Sequence, residues 1–159
     1  MQKKSFGYYP SPLGVIKITV ADNAVIGLTF VAEKKKNNPH PLIHKTVQQL
    51  VDYFKGKRKS FDLALRPEGT DFQKLVWQAL ENVPFGKQIS YKALAIQLGD
   101  EKLVRAVANA NAKNPIAILI PCHRVVGSSG ALTGYAWGLD RKEFLLKLER
   151  GLQQMRMDF

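Results

Sequence analysis

The chain has 159 residues, 45% of them hydrophobic and 23% charged, enough to bury the core of one or two small domains. Its 24 Lys and Arg against 13 Asp and Glu give a formal net charge of +11, which favours a polyanionic partner: nucleic acid first, an anionic membrane surface second. No apolar stretch approaches the ~20 residues of a membrane span, residues 1–8 lack the apolar centre of a signal peptide, and one cysteine excludes an internal disulfide and a cysteine-rich zinc site, so a cytoplasmic protein without metal or membrane is expected.

Taken in order, Leu13–Val20 and Val25–Val31 read as strands around a turn at Ala21-Asp22-Asn23-Ala24. Glu33–Pro41 is polar loop. Ile43, Val47, Leu50, Val51 and Phe54 recur at helical spacing, and Gly56 ends that helix. Phe61, Leu63 and Leu65 alternate with Asp62 and Ala64, predicting a further strand, and Arg66-Pro67-Glu68-Gly69 reads as a linker. The expected division is thus 1–67 and 70–159.

Beyond the linker the pattern is helical. Thr70-Asp71-Phe72-Gln73 forms a capping box, followed by an apolar face of Phe72, Leu75, Val76, Leu80 and Val83. Ser90 caps a helix over Tyr91–Leu98, which Gly99 stops. Asp100 caps the next, with Leu103, Val104, Val107 and Ala108 expected to face inward, and Asn114-Pro115 follows it. Two short helices joined by a tight turn predict a helix-turn-helix, and Lys102, Arg105, Asn109 and Lys113 make its second helix the DNA-facing one. Ile116–Ile120 reads as a short buried strand, Gly127–Gly138 as a glycine-rich loop, and Asp140-Arg141-Lys142-Glu143 as a capping box opening a last helix through Glu149.

The cysteine falls in Pro121-Cys122-His123-Arg124-Val125-Val126-Gly127. A thiol at the mouth of a rigid element, beside an imidazole able to take its proton, is a candidate nucleophile, since the thiolate is the reactive form. The competing reading is a small buried hydrophobe, the commoner fate of a single cysteine.

The stretch Ile120–Val126 resembles the active-site motif of the O6-alkylguanine-DNA alkyltransferases, the methylated-DNA–protein-cysteine methyltransferases. Phe72-Gln73, Val76-Trp77, Phe85-Gly86, Ser90-Tyr91, Leu94-Ala95, Arg105-Ala106-Val107, Asn114-Pro115, Gly134-Tyr135 and Lys142 through Leu146 to Glu149 fall in family order and spacing. The N-terminal part is similar chiefly in Ser11-Pro12-Leu13-Gly14. The resemblance implies an α+β fold: a ribonuclease-H-like sheet-and-helix domain, then a mainly helical, winged-helix-like domain with the helix-turn-helix.

It also implies DNA repair by stoichiometric, irreversible transfer of an alkyl group from O6-alkylguanine to Cys122, with O4-alkylthymine as a second candidate lesion and no cofactor. His123 would take the thiol proton through a water, Glu149 would orient His123, and Asn114 would hold the turn around the cysteine. Tyr91 would assist the departing guanine. Val125, Tyr135, Ala136 and Trp137 would line the base pocket. Arg105 would fill the stack vacated by the flipped nucleotide, Lys92 and Ser128 would touch phosphates, and small Ala106 and Ala110 would allow close approach to the minor groove. The expected partner is double-stranded DNA carrying the lesion, met by a monomer. Two departures stand out: Ala108 replaces a common glycine, and bulky Trp137 is expected to narrow the pocket against benzyl-sized adducts.

Three other readings remain. A cysteine hydrolase would turn over repeatedly without DNA, an alkyltransferase-like binder would lack the nucleophile, and a winged-helix regulator would make the Cys-His stretch incidental.

Overall fold

A computed structural model of the chain describes residues 3–157. It contains two compact units. One is built from the chain up to Glu68 together with Pro115–Ala117, the other from Gly69–Asn114 and the chain from Ile118 onward.

The first unit is an antiparallel three-stranded sheet, β1 (Lys4–Ser11), β2 (Gly14–Ala21) and β3 (Ala24–Val31), with one helix, α1 (Pro41–Phe54). Asp22 and Asn23 join β2 to β3 with φ of 49° and 62°. Positive φ at both central residues is what a two-residue hairpin turn requires, and Asp and Asn tolerate it. Alternation in β2 puts Ile16, Ile18 and Val20 on one buried face. α1 contributes Ile43, Leu50 and Tyr53 to the same core. Gly7 lets the helix approach, because a methyl group there would overlap the Ile43 side chain.

The strand expected over Phe61–Leu65 is absent. Leu65 makes one isolated bridge to Val25, and the backbone of Asp62 is taken up by the Gln49 side-chain amide instead of a ladder.

The second unit begins with α2 (Asp71–Glu81). Its capping box is formed by Thr70 and Gln73, and it buries Val76, Trp77 and Leu80. Each such side chain removed from water contributes about 1.5–3 kcal/mol. Ser90 caps α3 (Tyr91–Gln97) through the Ala93 amide. Asp100 caps a 3₁₀ turn, Glu101–Leu103, which runs into α4 (Val104–Ala112). A two-residue parallel pairing joins β4 (Ile89–Ser90) to β5 (Val125–Val126), and α5 (Leu139–Met157) is the last element among the described residues.

Ile116–Ile120 is not a strand. It is a buried turn with one isolated bridge, Ile116 to Leu28. Ile118 adopts φ 69°, a region a β-branched residue rarely enters. The apolar run satisfies the core without extending. Asn114 fixes the turn by donating from Nδ2 to the Ile120 carbonyl at 2.8 Å. Nor does Asp140 cap α5. The helix starts one residue earlier, at Leu139, and Glu143 pairs with Lys147 at 2.9 Å.

Candidate active site

Cys122, His123 and Arg124 form a single 3₁₀ turn directly after the buried Ile116–Ile120 segment. Successive side chains on such a turn diverge, so the thiol and the imidazole point different ways although adjacent in sequence. Cys122 is 1% exposed and His123 fully buried. Burial pushes the Cys122 thiol up to about 11, against lowering influences from Asn114 and the Lys142 charge. The resting cysteine is therefore a thiol.

His123 and Arg124 share one carboxylate. Glu149 Oε2 accepts from His123 Nε2 at 2.8 Å and from Arg124 Nη2 at 3.0 Å, while Oε1 accepts from Arg124 Nε at 2.9 Å and the Gly86 amide at 3.2 Å. Burial alone would raise the Glu149 carboxyl, but His123 and Arg124 hold it well below the ordinary carboxylate range. An ionised carboxylate can only accept, so His123 carries its proton on Nε2 and presents Nδ1 as a base. Burial also lowers the His123 pKa, outweighing the pull of Glu149, so the ring is neutral at rest. Nδ1 is buried and has no hydrogen-bond partner among the described residues. Glu149 itself is 1% exposed, although it lies near the end of a helix whose neighbouring Arg150 is open to solvent.

A second buried cation organises the glycine-rich loop. Lys142 Nζ donates to the carbonyls of Val125 at 2.5 Å, Thr133 at 2.9 Å and Gly134 at 3.3 Å, using all three ammonium protons. The Tyr91 hydroxyl reaches the same Thr133 and Gly134 carbonyls, at 3.2 and 3.3 Å. Burial brings Lys142 down to about 8.

A cavity of about 470 Å³ lies beside these groups, within the range of small-molecule sites. Its walls are Tyr91 from α3, Val104, Ala108 and Ala112 from α4, and Thr133 to Ala136 from the loop. Cys122 acts electrostatically on both Tyr91 and Tyr135, two of these walls. The Tyr135 hydroxyl is buried and unpartnered among the described residues.

Of the expected pocket residues, Tyr135 and Ala136 line this cavity, whereas Val125 and Trp137 do not. The Val125 carbonyl is occupied by Lys142, and Trp137 packs edge-on against Tyr135 at 5.4 Å between ring centroids. Arg105, Ala106, Lys92 and Ser128 are exposed, with Lys92 paired to Glu101 at 3.4 Å. Ala110 is corrected: it is 2% exposed and its carbonyl accepts from Trp77 Nε1, so it faces the core and not a partner. Leu103, Val104 and Ala108 are only half-buried.

Sequence reasoning gave no role to Arg124, Lys142 or Asn111. Lys142 and Glu149 did leave a signal: with Leu145 and Leu146 they share one face of α5 at i, i+3, i+4 and i+7, so two charges sit in apolar register.

Among the described residues no cluster of three or more potential metal ligands occurs, and no helix is long and apolar enough to cross a membrane. Two family profiles match nearly the whole chain: "6-O-methylguanine DNA methyltransferase, ribonuclease-like domain" over residues 5–67, and the DNA-binding domain of the same name over 71–151. The chain belongs to the 6-O-methylguanine DNA methyltransferase family. Within it, the methylated-DNA–protein-cysteine methyltransferase of Methanosarcina barkeri is 49% identical over 146 residues, covering 87% of this chain and 92% of that protein. The constitutive enzyme of Bacillus subtilis is 48% identical, with 88% and 92% covered. The crystal structure of Mycobacterium tuberculosis OGT in complex with DNA matches with a TM-score of 0.85 at 40% identity, over 92% of this chain and 93% of that one.

Proposed function

We propose that the chain repairs O6-alkylguanine in double-stranded DNA by moving the alkyl group to its own Cys122, once per molecule. The observation that carries this reading is the buried Cys122–His123–Glu149 arrangement beside a cavity walled by Tyr91 and Tyr135. Its relatives' names and family membership point to the same chemistry.

A water between Cys122 and His123 Nδ1 would pass the thiol proton to the imidazole, and Glu149 would stabilise the resulting imidazolium. The Sγ–carbon bond forms as the carbon–O6 bond breaks. The electron pair leaves with guanine, whose developing charge is met by a hydrogen bond from Tyr91. Burial and the nearby Cys122 raise the Tyr91 pKa, which keeps it a donor. The product is a thioether with no leaving group, so each molecule reacts once. Intact-mass measurement after mixing with a methylated duplex is expected to show one methyl on Cys122, saturating at one per chain. Continued turnover, or methyl elsewhere, would reject the proposal.

The transfer rate is expected to depend on pH in two limbs. His123 must be neutral to accept a proton and burial lowers its pKa, so activity persists down through 6.5 and is lost only further into acid. On the alkaline side Lys142 loses its charge near 8, releasing a loop carbonyl and removing a cation that favours the thiolate, so the rate falls as pH rises through about 8. Single-turnover rates between pH 5 and 9 check both limbs.

DNA contact is proposed for the exposed residues Arg105, Ala106, Lys92 and Ser128. Arg105→Ala is expected to slow transfer from duplex more than it weakens general binding, because the arginine would hold the place of the flipped nucleotide. Transfer rates compared with binding to undamaged duplex decide this, and equal losses would make Arg105 a phosphate contact. Binding itself should weaken steeply as salt rises.

A further inference from the structure

The two faces of the sheet in the first unit differ. One buries Ile16, Ile18 and Val20 in the core shared with α1. Lys17 and Thr19, which alternate with them, lie on the opposite face, in register with Tyr8 and Phe6 of β1 and with Thr29 of β3. All of these stay half-exposed, so this face is open to solvent. Phe6 and Tyr8 stand two residues apart on one strand, and Tyr8 lies directly opposite Lys17. The Lys17 ammonium sits 4.7 Å over the centre of the Phe6 ring, which holds the cation on this face beside Tyr8. Tyr8 and Lys17 also wall a cavity of about 270 Å³, completed by Val31, Ala32, Glu33 and Lys35.

The loop that carries Lys35 is tied down. β1 is an edge strand, and Asn37 and Asn38 occupy its free side. The Asn38 amide donates to the Phe6 carbonyl at 2.9 Å, the Tyr8 amide donates to Asn37 Oδ1 at 3.1 Å, and Asn38 Nδ2 donates to the Lys4 carbonyl at 3.3 Å. The exposed run Lys34-Lys35-Lys36 is thereby fixed next to the aromatic pair.

A cluster of cations alone would suit any polyanion. Exposed rings on an open sheet add a preference for flat, unpaired bases: a duplex keeps its bases stacked on one another, whereas a single strand offers each base face to a side chain. DNA is favoured over RNA because the family to which the chain belongs is one of DNA-binding proteins. We infer that this sheet face is a second nucleic-acid site, distinct from the duplex contacts proposed in the second unit. It takes single-stranded DNA, with a base stacked on Tyr8 and the flanking phosphates met by Lys17 and Lys35. The inference concerns the first unit and does not depend on the alkyl-transfer chemistry.

The test titrates the full chain with a fluorescent oligothymidine of about eight nucleotides, within the span of one such module, and in parallel with an undamaged duplex. Tyr8→Ala is expected to weaken oligothymidine binding roughly 5- to 100-fold, the effect of removing one stacked ring, and to leave duplex affinity within about twofold. Tyr8→Phe keeps the ring and is expected to bind as the unaltered protein does. Lys17→Gln together with Lys35→Gln is expected to reduce the slope of log affinity against log salt by about 0.7 per lysine for the single strand, and not for the duplex. The inference is overturned if Tyr8→Ala binds oligothymidine unchanged, if single-strand and duplex affinities fall together, or if an oligouridine of the same length binds more tightly. It is equally overturned if sedimentation without DNA shows two copies joined through this face and separated by Tyr8→Ala. Should Tyr8→Ala fail to fold, the lysine pair decides, since an unchanged salt slope for the single strand is fatal.

Discussion

Glu149→Gln is expected to lower stability by about 3–5 kcal/mol, because it leaves the Arg124 guanidinium buried without its counter-charge. That is a large share of the roughly 5–15 kcal/mol that holds a typical domain together. The carboxylate accepts four hydrogen bonds from three residues, and one of them anchors the Gly86 turn. A glutamine amide can accept at one atom only and must direct its own donors at Arg124. The loss should depend on pH with a fixed sign. The Glu149 pKa is depressed in the fold, so its contribution is complete above the ordinary carboxyl value of 4.5 and drains away as pH falls through the lower folded value. The difference in denaturation midpoint between the two proteins should therefore be widest near neutrality and narrow in acid. A uniform difference across pH would mean that shape, and not charge, is what the site requires. Transfer should fail as well, since an imidazole without its carboxylate loses both its tautomer and the support for its cationic form.

The features legible in the sequence are those carried by local chemistry. Thr70 and Gln73 mark a helix start wherever they stand, Asp22-Asn23 suits a turn that needs positive φ, and a thiol beside an imidazole is conspicuous in any context. The misread segments depend on what surrounds them. Ile116–Ile120 is apolar throughout, and an apolar run without a period fits a buried turn as well as a strand. Alternation at Phe61, Leu63 and Leu65 could not reveal that Gln49 claims the Asp62 backbone.

The buried face of α4 is Val107, Ala110 and Asn111, at i, i+3 and i+4, with Leu103, Val104 and Ala108 half-open at its edges. Ala110 thus continues the apolar spacing that Val107 begins, which ordinary helical periodicity already indicates. Arg124 carries no comparable signal, because a lone basic residue reads as surface until a buried carboxylate is seen to receive it.

Cys122→Ser is expected to abolish alkyl transfer while changing affinity for duplex DNA by less than about threefold, under ~0.7 kcal/mol. Chemistry and binding should be separable if the proposed contacts carry the binding: the sulfur is 1% exposed, whereas Arg105, Ala106, Lys92 and Ser128 lie open to solvent. A serine hydroxyl is close in size to the thiol, so Asn114 should still hold the turn and Glu149 should still hold His123. What is lost is acidity and softness. Even the thiol, raised to about 11 by burial, needs the imidazole to ionise, and a hydroxyl in the same place lies far beyond the reach of a neutral histidine. Intact mass after prolonged incubation with methylated duplex measures the chemistry, and titration of labelled duplex measures the affinity. The pairing of results also separates the rival readings. A regulator with an incidental thiol would bind equally well but show no transfer even before substitution. A cysteine that served only to pack the core would, when replaced, weaken folding and binding together.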